Sequence, residues 1–519
     1  KDLHYYVARN ELVRKARHLL MGTVFDKGGH YITAWAPRQT GKTWVMNEVL
    51  SDIRSDGRCR VLKLNLEPFQ LTDDTDRIAS RLARSITERL GVSGPTIRSL
   101  DELDRIFVRS CLKRPLILVL DEVDALSESA IAGLSAVFRH IYIRRLEENR
   151  PSAEKEYLLH GLALVGVRSV LGIENLTGSP FNIQRSLHIP NLNAAEVAAL
   201  FAAYTEETGH PVASAVVERI YRETLGQPGL VSWLGELLTE GYEDHRPDRS
   251  RPLSPADFES VYADAVEVLP NNNVMNIISK ARKEPYRGRV LELFKTSEKV
   301  PFRFDDPVTG FLYTNGVVDR EREGRRNLIR FSCPFIQRRL FGAFSHDLFP
   351  HVGAVYSPFE DVGHIVTETS LNPAALLRRY EAHIRRNRDW MFSDAPRRGD
   401  FRIYEAVFHF SLYEYLIRFF DSYPTRVWPE FPTGNGRVDI LIDHGGRLHA
   451  VEVKSYTDRP GFDRALTQAA AYGCRLGLER VHLAVFVESI DEKTRSRHEV
   501  AHLDSATGVR VTPTFIQTG

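Results

Sequence analysis

The chain has 519 residues, 43% hydrophobic and 26% charged, with a formal net charge of +1. That length suggests about three or four domains at ~150 residues each, and such a composition excludes a chain that is disordered throughout. The balanced charge excludes a uniformly basic molecule, so any nucleic-acid surface must be a local patch.

The four cysteines, Cys59, Cys111, Cys333 and Cys474, lie far apart. No pair has zinc-ligand spacing and no disulfide framework is evident, which predicts a reducing, cytoplasmic setting. Lys1-Asp2-Leu3-His4 does not read as a signal peptide, no stretch approaches a membrane span, and no membrane partner is expected.

A helix is predicted over 9–20 and a strand over 30–36. The strand runs into Ala36-Pro37-Arg38-Gln39-Thr40-Gly41-Lys42-Thr43, close to the Gly-x-x-x-x-Gly-Lys-[Ser/Thr] phosphate loop, with Ala36 in the first glycine's place. A residue before proline is pushed into extended geometry, which tolerates a Cβ there. Loop N–H groups form an anion nest and the following helix adds its positive end. Lys42 can reach the β- and γ-phosphates and Thr43 can place its hydroxyl on Mg2+. Pro37 to Thr43, with Trp44 behind them, are the candidate nucleotide-binding residues.

The helix after the loop is predicted to about residue 52, the next strand over 60–66, and helices over 74–90 and 99–112. Pro115-Leu116-Ile117-Leu118-Val119-Leu120-Asp121-Glu122 is an apolar run ending in two acids. It reads as a buried parallel strand whose C-terminal end carries chemistry. Asp121 would hold Mg2+, largely through water, and Glu122 would polarise the attacking water. A helix follows over 130–146, then a polar loop over 149–155. A fourth strand over 162–167 ends at Arg168, which is either a γ-phosphate sensor or a surface arginine. A short fifth strand is expected over 185–189. Strands alternating with helices predict a parallel α/β sheet. Asn193, with Glu196 three residues on, marks a capped helix over 193–205. Gly226-Gln227-Pro228-Gly229 starts another, over 230–238, in what reads as a helical lid.

Tyr6-Val7-Ala8-Arg9, Pro37 to Thr43, Leu120-Asp121-Glu122-Val123-Asp124, Ser179-Pro180-Phe181-Asn182-Ile183 and Gly226-Gln227-Pro228 together resemble the AAA-like members of the STAND class of signal-transduction ATPases. The resemblance covers about residues 1–245. It implies ATP binding, slow switch-like hydrolysis, ligand-driven homo-oligomerisation and a nucleotide contact from the lid motif through Pro228.

A polar, proline-punctuated connector spans 245–252. Residues 257–344 read as a small winged-helix domain, with a helix over 288–296, and with 312–318 and 328–331 read as helix end and wing strands. Such domains often bind DNA, but in these ATPases they more often act as packing modules. Residues 345–370 read as a linker.

Asn372-Pro373 starts a helix by cap and proline. The helix carries Arg378, Arg379, Arg385, Arg386 and Arg388, and Arg397, Arg398 and Arg402 follow. This run is either a phosphate-backbone surface or a solvated face. Glu405 opens an aromatic-rich helix reaching 420. Strands over 437–442 and 448–454 pair across Gly445-Gly446. Glu452 and Lys454, two apart, share one side of their strand. Such a pair is costly on an apolar strand unless functional. Asp439 and Glu452 can share a divalent metal, with Glu405 completing its shell and Lys454 stabilising developing charge. Gln468 and Tyr472 lie i, i+4 on one helix.

Asp439, Glu452 and Lys454, with Glu405 upstream and the Gln468…Tyr472 helix, resemble the PD-(D/E)xK nuclease superfamily over about residues 375–500. Val438 stands where the leading proline of that name would be. The resemblance implies a restriction-endonuclease-like α/β domain over 371–519.

The expected organisation is an ATPase core over 1–190, a lid over 191–245, a winged-helix-like domain over 257–344, a linker and a nuclease domain. The expected cofactors are ATP and Mg2+, with Mn2+ possible at the nuclease site. The expected partner is nucleic acid, DNA ahead of RNA, with a protein or nucleic-acid trigger. The ATPase would control the nuclease, in a setting of prokaryotic antiviral defence or mobile-element control. The competing readings are a nucleotide-switched scaffold with an inactive nuclease fold and a DNA-processing motor.

Overall fold

Five apolar runs form one all-parallel sheet: β1 (Tyr31–Trp35), β2 (Arg60–Asn65), β3 (Leu116–Asp121), β4 (Leu159–Gly166) and β5 (Arg185–His188), in the order β2-β3-β4-β1-β5. Every residue of β3 and β4 is buried, as strands covered on both faces require. One covering layer is α1 (Asn10–Met21) and α2 (Lys42–Asp56), whose Leu20, Val45, Val49 and Ile53 pack on Ile32, Ala34, Ile117 and Val165. The other is α3 (Thr75–Leu90), the short α4 (Arg109–Leu112) and α5 (Glu128–Glu147), packed on Leu62, Leu64, Leu118, Leu120 and Leu162. Each such buried aliphatic side chain contributes roughly 1.5–3 kcal/mol. The caps are local: the Asp74 carboxylate accepts the N–H groups of Asp76 and Arg77 at the start of α3, and Ser127 caps α5.

These elements belong to a computed structural model that describes residues 5–166, 185–243, 245–295, 300–357, 360–397, 399, 402–430 and 439–519, with backbone only at 295, 430 and 439. The chain divides into two units, Lys1–Val261 and Tyr262–Gly519. The first ends in α6 (Ala194–Thr208), α7 (Ser214–Thr224) and α8 (Pro228–Thr239), and the predicted capping box of Asn193 and Glu196 is formed. One predicted helix fails. Residues 99–112 form a 3-10 segment, Leu100–Phe107, then α4, because Val108 is extended and bridges Tyr157.

Helix α9 (Pro255–Glu267) crosses the unit boundary. The second unit continues with α10 (Asn272–Ala281), α11 (Tyr286–Lys295), α12 (Pro307–Thr314), the hairpin β6 (Val318–Glu323) and β7 (Arg326–Phe331), and α13 (Pro334–Leu348). Helix α13 runs three residues beyond the predicted start of the linker, because Phe344 and Ser345 are buried and Ser345 donates to Glu414 at 2.6 Å.

The last part holds α14 (Pro373–Arg386), α15 (Arg388–Met391), α16 (Glu405–Phe419), β8 (Thr425–Glu430), β9 (Asp439–His444), β10 (Arg447–Ser455), α17 (Arg459–Arg475), β11 (Arg480–Val487), α18 (Glu492–His498), β12 (His502–Leu503) and β13 (Arg510–Gln517). Its mixed sheet has the order β12-β13-β11-β10-β9-β8. The neighbours β8, β9 and β10 are antiparallel, whereas β10, β11 and β13 are parallel. Helix α17 shares a core with Leu441, Ala450, Leu483 and Val485.

Candidate functional site

The loop between β1 and α2 is shaped by its backbone. Gly41 has φ 81°, in the left-handed region, immediately before α2 begins at Lys42. A side chain there would meet no neighbour, so the torsion alone calls for glycine. Gln39 is also left-handed, at φ 57°. Ala36 is not among the positive-φ residues and is fully buried in the core beneath the loop, which explains why alanine serves in the first glycine's place. Lys42 folds back over the loop and donates to the carbonyl oxygens of Ala36 (3.0 Å) and Pro37 (2.8 Å). Burial pulls its ammonium below the ordinary lysine pKa, while Glu122, Asp124 and Asp121 oppose that shift.

At the end of β3 the predicted acids sit beside this loop. Thr43 Oγ1 donates to Asp121 Oδ2 at 3.0 Å, and the Glu122 N–H donates to Asp121 Oδ1 at 3.1 Å. Glu122 has φ 57°. Burial raises its carboxyl pKa, opposed by the positive charges of Lys42 and Arg38. The spatial order of the sheet places β4 between β1 and β3. Asp124 reaches the end of β4, since a Cβ on Gly166 would lie 2.3 Å from its carboxylate. The residues present fit a Mg2+-bound nucleotide: the nest, the Lys42 ammonium, the Thr43 hydroxyl and the Asp121 carboxylate are the donor set such a ligand needs.

Sequence reasoning missed Lys63. Its ammonium pairs with Asp121 Oδ2 at 3.0 Å and donates to Asn47 Oδ1 at 3.1 Å. An isolated lysine on a strand carries no motif, and only the pairing of β2 with β3 brings it here.

The Gly226-Gln227-Pro228-Gly229 segment touches the phosphate loop directly. The Gly229 N–H donates to the Gln39 carbonyl at 3.0 Å, and the Gln227 amide donates to the Arg38 carbonyl at 3.3 Å. A Cβ on Gly229 would lie 2.5 Å from Gln39 Oε1 and 2.6 Å from its Cβ, so this approach needs glycine. Pro228 is the first residue of α8. The segment before α1 spans the same region. Tyr6 donates to Glu48 at 2.7 Å and packs against Trp44 at 5.9 Å, and Arg9 donates to the carbonyls of Pro190 and Asn191. Arg168 and the predicted stretch 179–183 lie outside the described residues.

In the second unit, Glu405 is the first residue of α16 and buried; its Oε2 accepts the Ser455 N–H at 2.8 Å. Lys454 stands between two carboxylates, with Nζ 3.6 Å from Glu405 Oε1 and 3.8 Å from Glu452 Oε1. Glu452 is only 1% exposed. The ladder sets Glu452 directly opposite Asp439, whose side chain lies outside the described residues. Among the described residues no three His, Cys, Asp or Glu side chains form a metal-sized cluster. Tyr472 is buried in the core of α17 against the sheet, one turn after the half-buried Gln468.

The basic run splits in two. Arg379 is buried, bound to Glu360 at 2.5 and 2.8 Å and lying over Tyr356 and Phe419. Arg378 pairs with Glu381 and Glu499. These two are structural anchors. Arg385, Arg386 and Arg388 are exposed, beside Trp390 at 43% exposure. From there Phe392 packs on Phe408 (5.5 Å), and Phe408 stacks on Phe486 (4.5 Å), the β11 partner of Ser455.

An AAA-like domain family matches residues 2–238 of the chain. Among solved structures, a Walker-type ATPase of Pyrococcus abyssi is 13% identical, covering 64% of this chain and 96% of that one at TM-score 0.42. The ORC1 protein of Aeropyrum pernix, solved in complex with DNA, is 19% identical over 67% and 94% of the two chains, at 0.35. The RuvB Holliday junction branch migration motor of Thermotoga maritima is 15% identical over 62% and 91%, at 0.33. Comparison with curated proteins finds no match. No helix among the described residues is long and apolar enough to cross a membrane.

Proposed function

We propose that the AAA-like ATPase domain of this chain is a nucleotide switch of the STAND type that controls a metal-dependent PD-(D/E)xK-like nuclease in the second unit. The first half of the reading is supported by the family match over 2–238 and by the convergence of Lys42, Thr43, Asp121 and Glu122. Bound Mg2+ would neutralise phosphate charge, held by Thr43 and Asp121. Lys42 would leave the loop carbonyls for the phosphates, and Glu122 would take the proton of the attacking water.

The single observation that carries the second half is the Lys454 amine held between Glu405 and Glu452, on a strand whose register opposes Glu452 to Asp439. A divalent cation there would activate water and offset charge on a phosphodiester, with oxygen ligands from Asp439, Glu452 and Glu405. Lys454 would hold its charge where negative charge grows in the transition state. Gln468 would sit against nucleic acid, and Tyr472, from the core, would fix the position of β10. Arg385, Arg386 and Arg388 would bind the phosphate backbone.

The test incubates the full chain with plasmid, single-stranded DNA and RNA, with and without ATP and Mn2+. Cleavage is expected in the parent and lost in Glu452→Ala, and Lys454→Ala should lose ~10²–10³ in rate with its metal binding retained. Equal cleavage by parent and both folded variants would sink the nuclease reading. The same resemblance suggests a role in prokaryotic defence or mobile-element control, and the scattered cysteines suggest a cytoplasmic setting.

A further inference from the structure

We infer that Lys63 is a resident cation of the nucleotide site, holding Asp121 when nucleotide is absent and setting the Mg2+ concentration at which nucleotide is retained. The inference rests on reading residues 36–43 as a phosphate loop. Asp121 Oδ2 receives two donors at 3.0 Å, the Thr43 hydroxyl and the Lys63 ammonium, and Oδ1 receives the Glu122 N–H. The carboxylate is nearly buried, with 6% of its side chain exposed, and Lys63 keeps 20%.

Lys63 is not placed there by proximity along a strand. The register of β2 on β3 sets Lys63 beside Val119 and Asn65 beside Asp121. The lysine therefore extends along the strand direction to reach the carboxylate, and Asn47 of α2 holds the same amine from the other side. An amine fixed from two elements is preorganised.

The oxygen it occupies is the one a Thr43–Asp121 pair would present to Mg2+. Thr43 and Asp121, the latter largely through water, would hold Mg2+, and that ion would compete with Lys63 for the charge on Oδ2. A Mg2+ drawing on the same carboxylate would be repelled by the Lys63 ammonium and would share its negative charge with it. Lys63 is a positioning residue, competing with the metal before binding.

The test titrates Mg2+ against binding of a fluorescent ADP analogue to the full chain, for the parent, Lys63→Met, Lys63→Gln and Lys63→Arg. Circular dichroism melts identify which variants are folded, and either neutral variant suffices. The half-saturating Mg2+ concentration should fall about tenfold in the neutral variants, equivalent to ~1.4 kcal/mol, and stay near the parent value in Lys63→Arg. An unchanged or higher midpoint in a folded neutral variant overturns the role of Lys63 alone. Absence of nucleotide binding by the parent at any Mg2+ concentration, or binding indifferent to Lys42→Ala, overturns the phosphate-loop reading and this inference with it.

Discussion

In the proposed function Lys42 and Glu122 would divide the labour of the phosphate loop. Lys42 is hydrogen-bonded to two loop carbonyls, so a phosphate must exchange those bonds for its own. Charged hydrogen bonds contribute about 1.5–3 kcal/mol each, so Lys42→Ala should weaken ADP binding by roughly 10–100-fold. Equal affinity by calorimetry in a folded variant would contradict the assignment. Glu122→Gln should leave binding intact and slow hydrolysis roughly 10²-fold or more, as loss of a general base does. Burial raises the Glu122 pKa. Its ionised form, which would activate water, therefore appears only as pH rises through that raised value, and the acid limb of turnover should lie above the pH at which an exposed glutamate ionises. A pH–rate profile whose acid limb falls at the value of an exposed glutamate would remove Glu122 from that role.

At the scale of elements, what was legible in the sequence was what local pattern dictates. β1, the loop and α2 follow from an apolar run, a left-handed glycine and a helix start, and β3 from an unbroken aliphatic stretch. The helix predicted over 99–112 fails because its break is set by a distant partner. Phe107 and Arg109 exchange backbone hydrogen bonds with Leu158 and Glu156 around the extended Val108. The basic run misled in the same way, since Arg379 is drawn inward by Glu360, nineteen residues upstream. Lys63 belongs to this class too: strand order, invisible in one sequence, delivers it to Asp121.

The lid contact makes a prediction at this scale. Gly229→Ala puts a methyl into Gln39, an overpacking that typically costs about 1–3 kcal/mol. The first unit should melt a few degrees lower, at roughly 2–4 °C per kcal/mol, with weaker nucleotide binding. Parent-like melting and affinity would mean that the loop and the lid adjust freely.

For the whole molecule, the division at Val261 and Tyr262 bears on how nucleotide stabilises the chain. Ligand binding adds RT ln(1 + [L]/Kd), about 2.7 kcal/mol at a hundredfold excess over Kd. In calorimetry, Mg2+–ADP should raise the transition of the first unit and leave any separate transition of the second in place. A single transition that shifts as one would show that the two units unfold together. Within the first unit, β3 is buried at all six positions and hydrogen-bonded on both sides, by β2 and β4. Its amides should be among the last to exchange with deuterium, at the free energy of global unfolding, while helix ends in the lid exchange through small local openings. Asp121 closes that strand. The carboxylate that would meet the metal is thus mounted on a strand among the last to let go, so local openings at nearby helix ends leave its anchor in place.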